Sequence, residues 1–381
     1  MIFTKFQEII GTKYPIIQAG MGPYSTTDLC IAVAKEGGLG LISTIGMGVG
    51  LTSAAPETAE KIFGKGRPQK ILKRVIQYVY DNLKDYPDAK FGVNIPVATD
   101  FSFVAKRLVK GTIEISKEKP EIQEKLAVIV TSAGDPLPWA IDAASKGAKK
   151  PEIAIKEEIP HIIWSHVCPN VRGAKRAEKA GVDIIIASGR EGGAHCAWRD
   201  VSSMVLLPEV VKNVNIPVVG AGGFSDGASL AAALALGAIG IQMGTRFIAT
   251  QEADFQHMWK EAIVKRAETE TIVARGLFGP MRFLRNPMSL KVVNETISSA
   301  SDLYRGIPCP SNDKIMNIEM DGLRKLYDEI EDDSIILGGS VTGRIHSIPT
   351  VKELLNSVMN EAEEIISKLP SYIRKERLIE P

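Results

Sequence analysis

Cysteine is scarce in this 381-residue chain. Cys30, Cys168, Cys196 and Cys309 stand far apart and form no C-x-x-C pair, which argues against a zinc knuckle and against a dense disulfide framework. A reducing cytoplasm fits that usage. An excess of one charge is missing as well, since 46 basic and 45 acidic side chains leave only +1. A nucleic acid would find no electrostatic footprint to bind. Long apolar runs are also absent. The most hydrophobic stretch, 230–243, is alanine-rich, broken by Gly237, Gly240 and Gln242, and shorter than a bilayer requires. It reads as a buried helix followed by a strand, and no membrane partner is expected. Residues 1–11 carry Lys5 and Glu8 among apolar neighbours and lack the unbroken hydrophobic stretch of a signal peptide, so export is not expected.

What is present is ordinary globular material, 45% hydrophobic and 24% charged, enough to bury a core. At this length one large domain with an insertion, or two domains, is the expectation. Short runs rich in β-branched residues recur at 16–19, 39–43, 91–95, 127–131, 162–167, 183–187, 216–219 and 238–242. Several, such as Ile184-Ile185-Ile186, are continuously apolar, the pattern of parallel strands buried on both faces. Between them, 170–181 and 225–237 read as helices, each closing on a glycine. This order predicts a (β/α)8 TIM barrel of the α/β class, with an open doubly wound sheet as the alternative.

Beyond the eighth strand, 252–268 and 320–331 read as helices, and the part between is rich in proline, serine and asparagine with no strand signal. A final amphipathic run, 351–369, reads as the last barrel helix, with Leu354, Leu355, Val358, Ile365 and Ile366 on its apolar side. The chain thereby divides into a barrel, 1–250 and 346–381, and a helical and loop insertion after the eighth strand, 251–345. Material placed there lies over the C-terminal face of a barrel and is expected to form a lid or substrate wall.

The 34 glycines exceed an average usage of roughly 7%, and several cluster at strand ends. The seventh strand runs into Gly220-Ala221-Gly222-Gly223-Phe224-Ser225-Asp226, a glycine turn leading to a helix capped by Ser225 or Asp226. Glycines let backbone N–H groups approach a phosphate, and the helix start adds partial positive charge. The next strand ends in Gln242-Met243-Gly244-Thr245-Arg246. Either loop alone is explained equally well as a tight βα turn; side by side after strands seven and eight they match the recurrent barrel phosphate site. In contrast, Gly46-Met47-Gly48-Val49-Gly50 lacks a dinucleotide spacing and reads as a flexible loop.

The sixth strand delivers Ser188-Gly189-Arg190-Glu191-Gly192-Gly193-Ala194-His195. A histidine at the top of a barrel strand, behind glycines that clear space for a flat ligand, is placed for proton transfer, and His195 is the catalytic candidate. His166, ending strand five, reads rather as a packed barrel residue. Glu191 suits local hydrogen bonding as well as acid–base work. Gln18-Ala19-Gly20-Met21-Gly22 closes strand one and Phe91-Gly92-Val93-Asn94 closes strand three, bringing small or polar groups to the mouth. Asn94 could donate to and accept from a heteroaromatic ring, although a strand-end asparagine needs no ligand to explain it.

These motifs together resemble the nitronate monooxygenase family, formerly the 2-nitropropane dioxygenases, and the related flavin-dependent enoyl-acyl-carrier-protein reductases. The likeness rests on residues 18–21, 92–94, 132–136, 189–195, 221–223, 242–252, 279–286 and 338–343. The chain departs from the family turn Glu-Ala-Gly-Gly-His, having Glu-Gly-Gly-Ala-His at 191–195. Ser188 stands where many members carry glutamine, and Gly339-Ser340 replaces Gly-Gln. The resemblance implies FMN across the barrel mouth, with its phosphate held by Gly222, Gly223, Gly244 and Thr245. Ala19, Gly20, Met21, Asn94, Ser188, Gly193, Gln242 and Met243 complete the implied cofactor site, and His195 is the implied acid/base residue. No metal is expected.

Two activities follow from the resemblance. In the first, an FMN-dependent oxidoreductase oxidises nitroalkanes or alkyl nitronates with oxygen. In the second, NADH or NADPH drives reduction of an unsaturated thioester carried by an acyl-carrier protein or coenzyme A. A phosphosugar lyase or isomerase without flavin ranks lower, for lack of a strand-end lysine able to form a Schiff base. The oligomeric state stays open, with a homodimer among the options.

Overall fold

A computed structural model describes residues 1–22, 25–45, 47, 64, 66–99 and 102–373. Its centre is a closed barrel of parallel strands in the order β1 (Ile16–Gln18), β2 (Leu39–Ser43), β3 (Lys90–Pro96), β4 (Leu126–Ser132), β5 (Ile163–Cys168), β6 (Ile184–Ser188), β8 (Val218–Ala221) and β9 (Ile241–Met243). Pairing of β1 with β9, Ile16 opposite Ile241, shuts the ring and disposes of the open sheet. The triple isoleucine of β6 shows why these strands read as continuously apolar. Ile184 and Ile186 face inward with Leu41, Val130 and Val219, while Ile185 packs outward under the helices. Phe6 and Ile10 of the helix Lys5–Ile10 plug the inner core from below, and a Thr4/Gln7 capping box starts that helix.

Helices follow the barrel strands. The one after β8, Gly227–Ala235, opens with Asp226 accepting from Ser229 N, so Asp226 rather than Ser225 is the cap. The helix Val351–Lys368 follows β9 after the long insertion and packs between Gly227–Ala235 and the first outer helix, Thr27–Lys35. Its approach is close: a Cβ on Gly227 would stand 2.4 Å from Ala362 N. After β4 the helical position holds only two short turns, the 3-10 turn Leu137–Trp139 and the α-turn Ile155–Glu158. Among the described residues no helix is long and apolar enough to cross a membrane, and no group of three or more His, Cys, Asp or Glu is placed to hold a metal.

The segment expected to lack strands contains two. β10 (Thr271–Arg275) and β11 (Pro280–Leu284) form an antiparallel hairpin, and β11 also pairs with β7 (Ala194–His195), two residues of the turn after β6. Pro280 at the start of β11 and the two-residue length of β7 hide this sheet from a periodicity reading. One of the two helices expected there sits where it was expected and the other does not. His257–Lys265 lies inside 252–268, and Asp313–Lys325 starts and ends before 320–331 would. An additional helix, Pro287–Ser299, fills the stretch expected to be irregular, opened by an Asn286/Ser289 capping box with proline in its first turn. Of the loop at 46–50, all but Met47 lies outside the described residues.

Candidate active site

A cavity of about 1390 Å³ lies over the C-terminal ends of the barrel strands. Its wall includes Ala19, Gly20, Met21, Asn94, Ser188, Gly193, His195, Gly222, Gly223, Gln242, Gly244 and Thr245, so the structure brings together every expected site residue but one. Met243 is the exception: it is 1% exposed and packs in the core outside the barrel. Strand alternation explains it, because Gln242 and Met243 must point to opposite faces of β9.

The two glycine loops stand side by side. Gly222 and Gly223 have φ of 84° and 86°, a conformation that L side chains rarely adopt. A Cβ on Gly222 would also lie 2.6 Å from the Gly189 carbonyl oxygen. Gly192 and Gly244 have neither constraint. A Cβ there would meet nothing closer than 3.5 Å, near Gly189 O and Ser188 Oγ in one case and near Met21 Sδ and Ala19 Cβ in the other. What their bareness preserves is cavity space beside the two loops. Thr245 Oγ1 accepts from Gly339 N at 3.0 Å, which ties the end of the insertion to the second loop.

On the opposite wall, Asn94 is 5% exposed. Its Nδ2 donates at 3.3 Å to Val130 O and to Ser132 Oγ, and among the described residues no donor reaches Oδ1. A Cβ on Gly20 would strike this side chain, 2.4 Å from Asn94 Cβ. Gln242 joins it as a buried amide on the cavity wall. These are neutral, two-way hydrogen-bonding groups suited to a polar heterocycle.

His195 is held by β7, with Ala194 before it at φ 59° and Met281 of β11 opposite it in register. Cys196 N donates to Pro280 O at 2.8 Å just beyond. The imidazole opens onto the cavity from its inner wall and tilts against Phe278, ring centroids 6.3 Å apart. The imidazole itself is exposed to the cavity solvent; crowding by the surrounding protein first, and the nearby Arg275 guanidinium second, lower its pKa from 6.5 toward about 4. A lowered pKa leaves the ring able to accept a proton at pH 7.

The other candidates take structural places. Glu191 accepts from Ser203 N and Ser203 Oγ, both at 3.0 Å from Oε2, and so starts the helix Ser203–Asn213. His166 lines the cavity yet is 3% exposed, with Nδ1 2.8 Å from Thr131 Oγ1, and Trp164 Nε1 donates to that same hydroxyl at 2.9 Å. Burial pulls the His166 pKa to about 4, against the opposing influence of the Gly134 backbone and Asp135.

Two residues that sequence reasoning missed stand at this wall. Arg275, ending β10, is 6% exposed, lies 5.2 Å over the Trp198 ring and donates from Nε to Cys309 O at 2.9 Å. Glu319, from the helix Asp313–Lys325, is 5% exposed and reaches the cavity. Burial pushes its pKa up to about 7, partly offset by the Leu277 amide and by Arg275. A charged residue at a helical spacing otherwise reads as solvated, so only the fold reveals it.

The mouth of the barrel thus gathers paired glycine loops, two buried amides and a histidine around one cavity. The chain belongs to the nitronate monooxygenase family, which it matches over residues 4–361. It is 31% identical over 303 residues to a probable nitronate monooxygenase of Staphylococcus saprophyticus, covering 74% of this chain and 79% of that protein. It is also 28% identical to a (3aS,4S,5R,7aS)-5-hydroxy-7a-methyl-1-oxo-octahydro-1H-indene-4-carboxyl-CoA dehydrogenase of Rhodococcus jostii, over 96% of this chain and 97% of the relative. Among solved structures, FabK from Thermotoga maritima superposes with a TM-score of 0.73 at 28% identity, over 98% of this chain and all of that one.

Proposed function

We propose that this protein is an FMN-dependent oxidoreductase that acts on nitroalkanes or their nitronates with oxygen as co-substrate, His195 serving as the base. The observation that carries the reading is the position of His195, fixed by strand pairing on the wall of the cavity that the two glycine loops border. The residues present fit the cofactor. Gly222, Gly223, Gly244 and Thr245 offer amides and a hydroxyl to a phosphate, the bare Gly192 and Gly244 leave room beside them, and Asn94 and Gln242 suit the ring edge. FMN, when bound, supplies the electron transfer and oxygen chemistry that side chains cannot.

His195 accepts the α-proton of a nitroalkane. The C–H bond breaks, its electron pair remains on the substrate as the nitronate, and the proton passes to an imidazole nitrogen. A substrate already supplied as nitronate needs no such step. The 251–345 insertion acts as the substrate wall, since β11 holds His195 and Phe278 and Glu319 face the same cavity.

A second reading, reduction of an unsaturated thioester at the expense of NADH or NADPH, is favoured by the size of the cavity and by the likeness to a carboxyl-CoA dehydrogenase. The test is a comparison of substrates on protein loaded with FMN. Oxygen uptake with an alkyl nitronate is expected; anaerobic NAD(P)H oxidation that requires an enoyl thioester would establish the second reading instead. Protein that takes up no flavin would overturn both.

A further inference from the structure

We propose that Glu319, in its protonated form, is a catalytic hydrogen-bond donor to the nitro or carbonyl oxygen of the substrate, working from the opposite side of the 276–279 turn to His195. The inference rests on the oxidoreductase reading above and identifies the second proton-handling group of that site.

The turn is compact. Gly276 N donates to Gly279 O at 2.8 Å, and a Cβ on Gly276 would overlap Met281 and press on Glu319 Oε2 at 3.1 Å. Glu319 Oε2 accepts from Leu277 N at 2.6 Å on one side of the turn. On the other side, Phe278 leans on His195 and Met281 pairs with it. Both titratable groups therefore border one hairpin and one cavity.

Glu319 has more hydrogen-bonding capacity than the protein uses. Leu277 N occupies Oε2, whereas Oε1 has no protein partner among the described residues, on a residue that lines the cavity. Arg275 of β10 is the charge that reaches it, and that guanidinium is committed to Cys309 O, Gly276 O and the Trp198 face rather than to a direct ion pair. On the adjacent helix Pro287–Ser299, Glu295 is taken up by Lys314 at 2.5 Å and by Asn312. Cys309, near Arg275, turns its thiol to Ala300 O. A buried carboxyl without a contacting cation keeps its proton to higher pH than an exposed one, and can then donate.

Both proposed substrate classes need such a donor. Removing a proton from carbon beside a nitro group, or adding hydride beyond a thioester carbonyl, leaves an anion whose charge gathers on oxygen. A neutral O–H aimed there stabilises that anion without adding a charge of its own. No bond need break; the proton stays on Glu319 and is shared with the substrate oxygen.

The probe is propanoate, an unreactive two-oxygen anion shaped like ethylnitronate, titrated calorimetrically into the purified protein. For the wild type, affinity should fall roughly tenfold per pH unit above about 7, as Glu319 ionises and repels the ligand. Glu319→Gln keeps an acceptor for Leu277 N and presents an NH2 donor that does not titrate, so its affinity should stay flat. A variant profile that tracks the wild type overturns the proposal, because a residue that merely pinned the turn would give that result. Should the variant not fold, infrared spectra of the wild type carry the test. A carboxylic-acid carbonyl band that shifts when propanoate binds and vanishes at higher pH supports the proposal, and its absence overturns it. Flavin content and turnover, measured on the same wild-type samples, report separately on the proposed function.

Discussion

Arg282 donates to the carbonyl oxygen of Arg190 from both Nε and Nη2, at 3.2 and 3.0 Å, while Nη1 holds Thr271 Oγ1 at 2.9 Å. One side chain of β11 thus grips the turn that leads to His195 and braces the hairpin on which it stands. The family stretch Gly279-Pro280-Met281-Arg282-Phe283-Leu284-Arg285-Asn286 acquires a physical job here. Its strand pairs with β7, its arginine fastens the histidine turn, and Asn286 caps the next helix and donates to Glu331 O and Ser334 O at 2.7 Å.

Replacing Arg282 with methionine leaves the Arg190 carbonyl in the turn without these donors. Stability should drop by about 2 kcal/mol, the usual scale for charged hydrogen bonds, and kcat should fall more than flavin content does, because the turn that sets the imidazole is loosened. Lysine should restore little, since an ammonium cannot reproduce the fork. Urea titration beside turnover checks it; full activity in a folded methionine variant would show that the grip is dispensable.

Gly244→Val tests whether the second loop is bare for a ligand's sake. The new Cβ would meet only Met21 Sδ at 3.5 Å and Ala19 Cβ at 3.7 Å, so the fold should survive while the cavity narrows at the loop. The expected result is a normal circular dichroism spectrum with flavin binding weakened by tenfold or more, on the order of 1.4 kcal/mol. Undiminished flavin uptake would place the phosphate elsewhere.

How much of this was legible beforehand follows from which interactions are local. The barrel strands announce themselves because burial on both faces leaves no polar alternation, as at Ile184, Ile185 and Ile186. Asn170 and Gly181 bracket their helix through cap chemistry confined to a few residues. The strand β11 escapes a local reading since one of its two partners, β7, lies more than eighty residues away at His195, and Pro280 at its start imitates a loop. Glu319 was invisible for the same reason: its burial against the 276–279 turn is a tertiary fact that no spacing encodes. Met243 differs in the other direction: it neighbours the motif residues in sequence, but strand geometry turns its side chain into the core.

His195 should show its lowered pKa in kinetics. A base must be unprotonated, so kcat/KM for a neutral nitroalkane should rise with pH through about 4 and level off, instead of rising through the ordinary 6.5. His195→Asn should retain flavin and lower turnover about a hundredfold or more. An acidic limb near 6.5 would mean that cavity water keeps the imidazole fully hydrated, and an unchanged rate would remove it from the chemistry.

His166 predicts a distinct signature in stability. Its folded pKa, about 4, lies below the ordinary 6.5, so between those values the unfolded chain binds a proton that the folded one refuses. Stability contributed by the neutral ring is complete above 6.5 and is lost as pH falls through the window. The loss is on the order of 3 kcal/mol at its limit. His195 and His161 add in the same direction, while Glu319 and Asp254, whose pKa values are raised, oppose it over part of the range, so the wild-type curve alone mixes several groups. His166→Gln isolates one term, because an amide can still meet Thr131 Oγ1 but does not titrate. Subtracting denaturation free energies of the variant from those of the wild type between pH 4 and 7 should leave a difference that grows against the wild type toward acid. A difference that stays constant with pH would mean that His166 protonates in the folded protein as readily as in the unfolded chain.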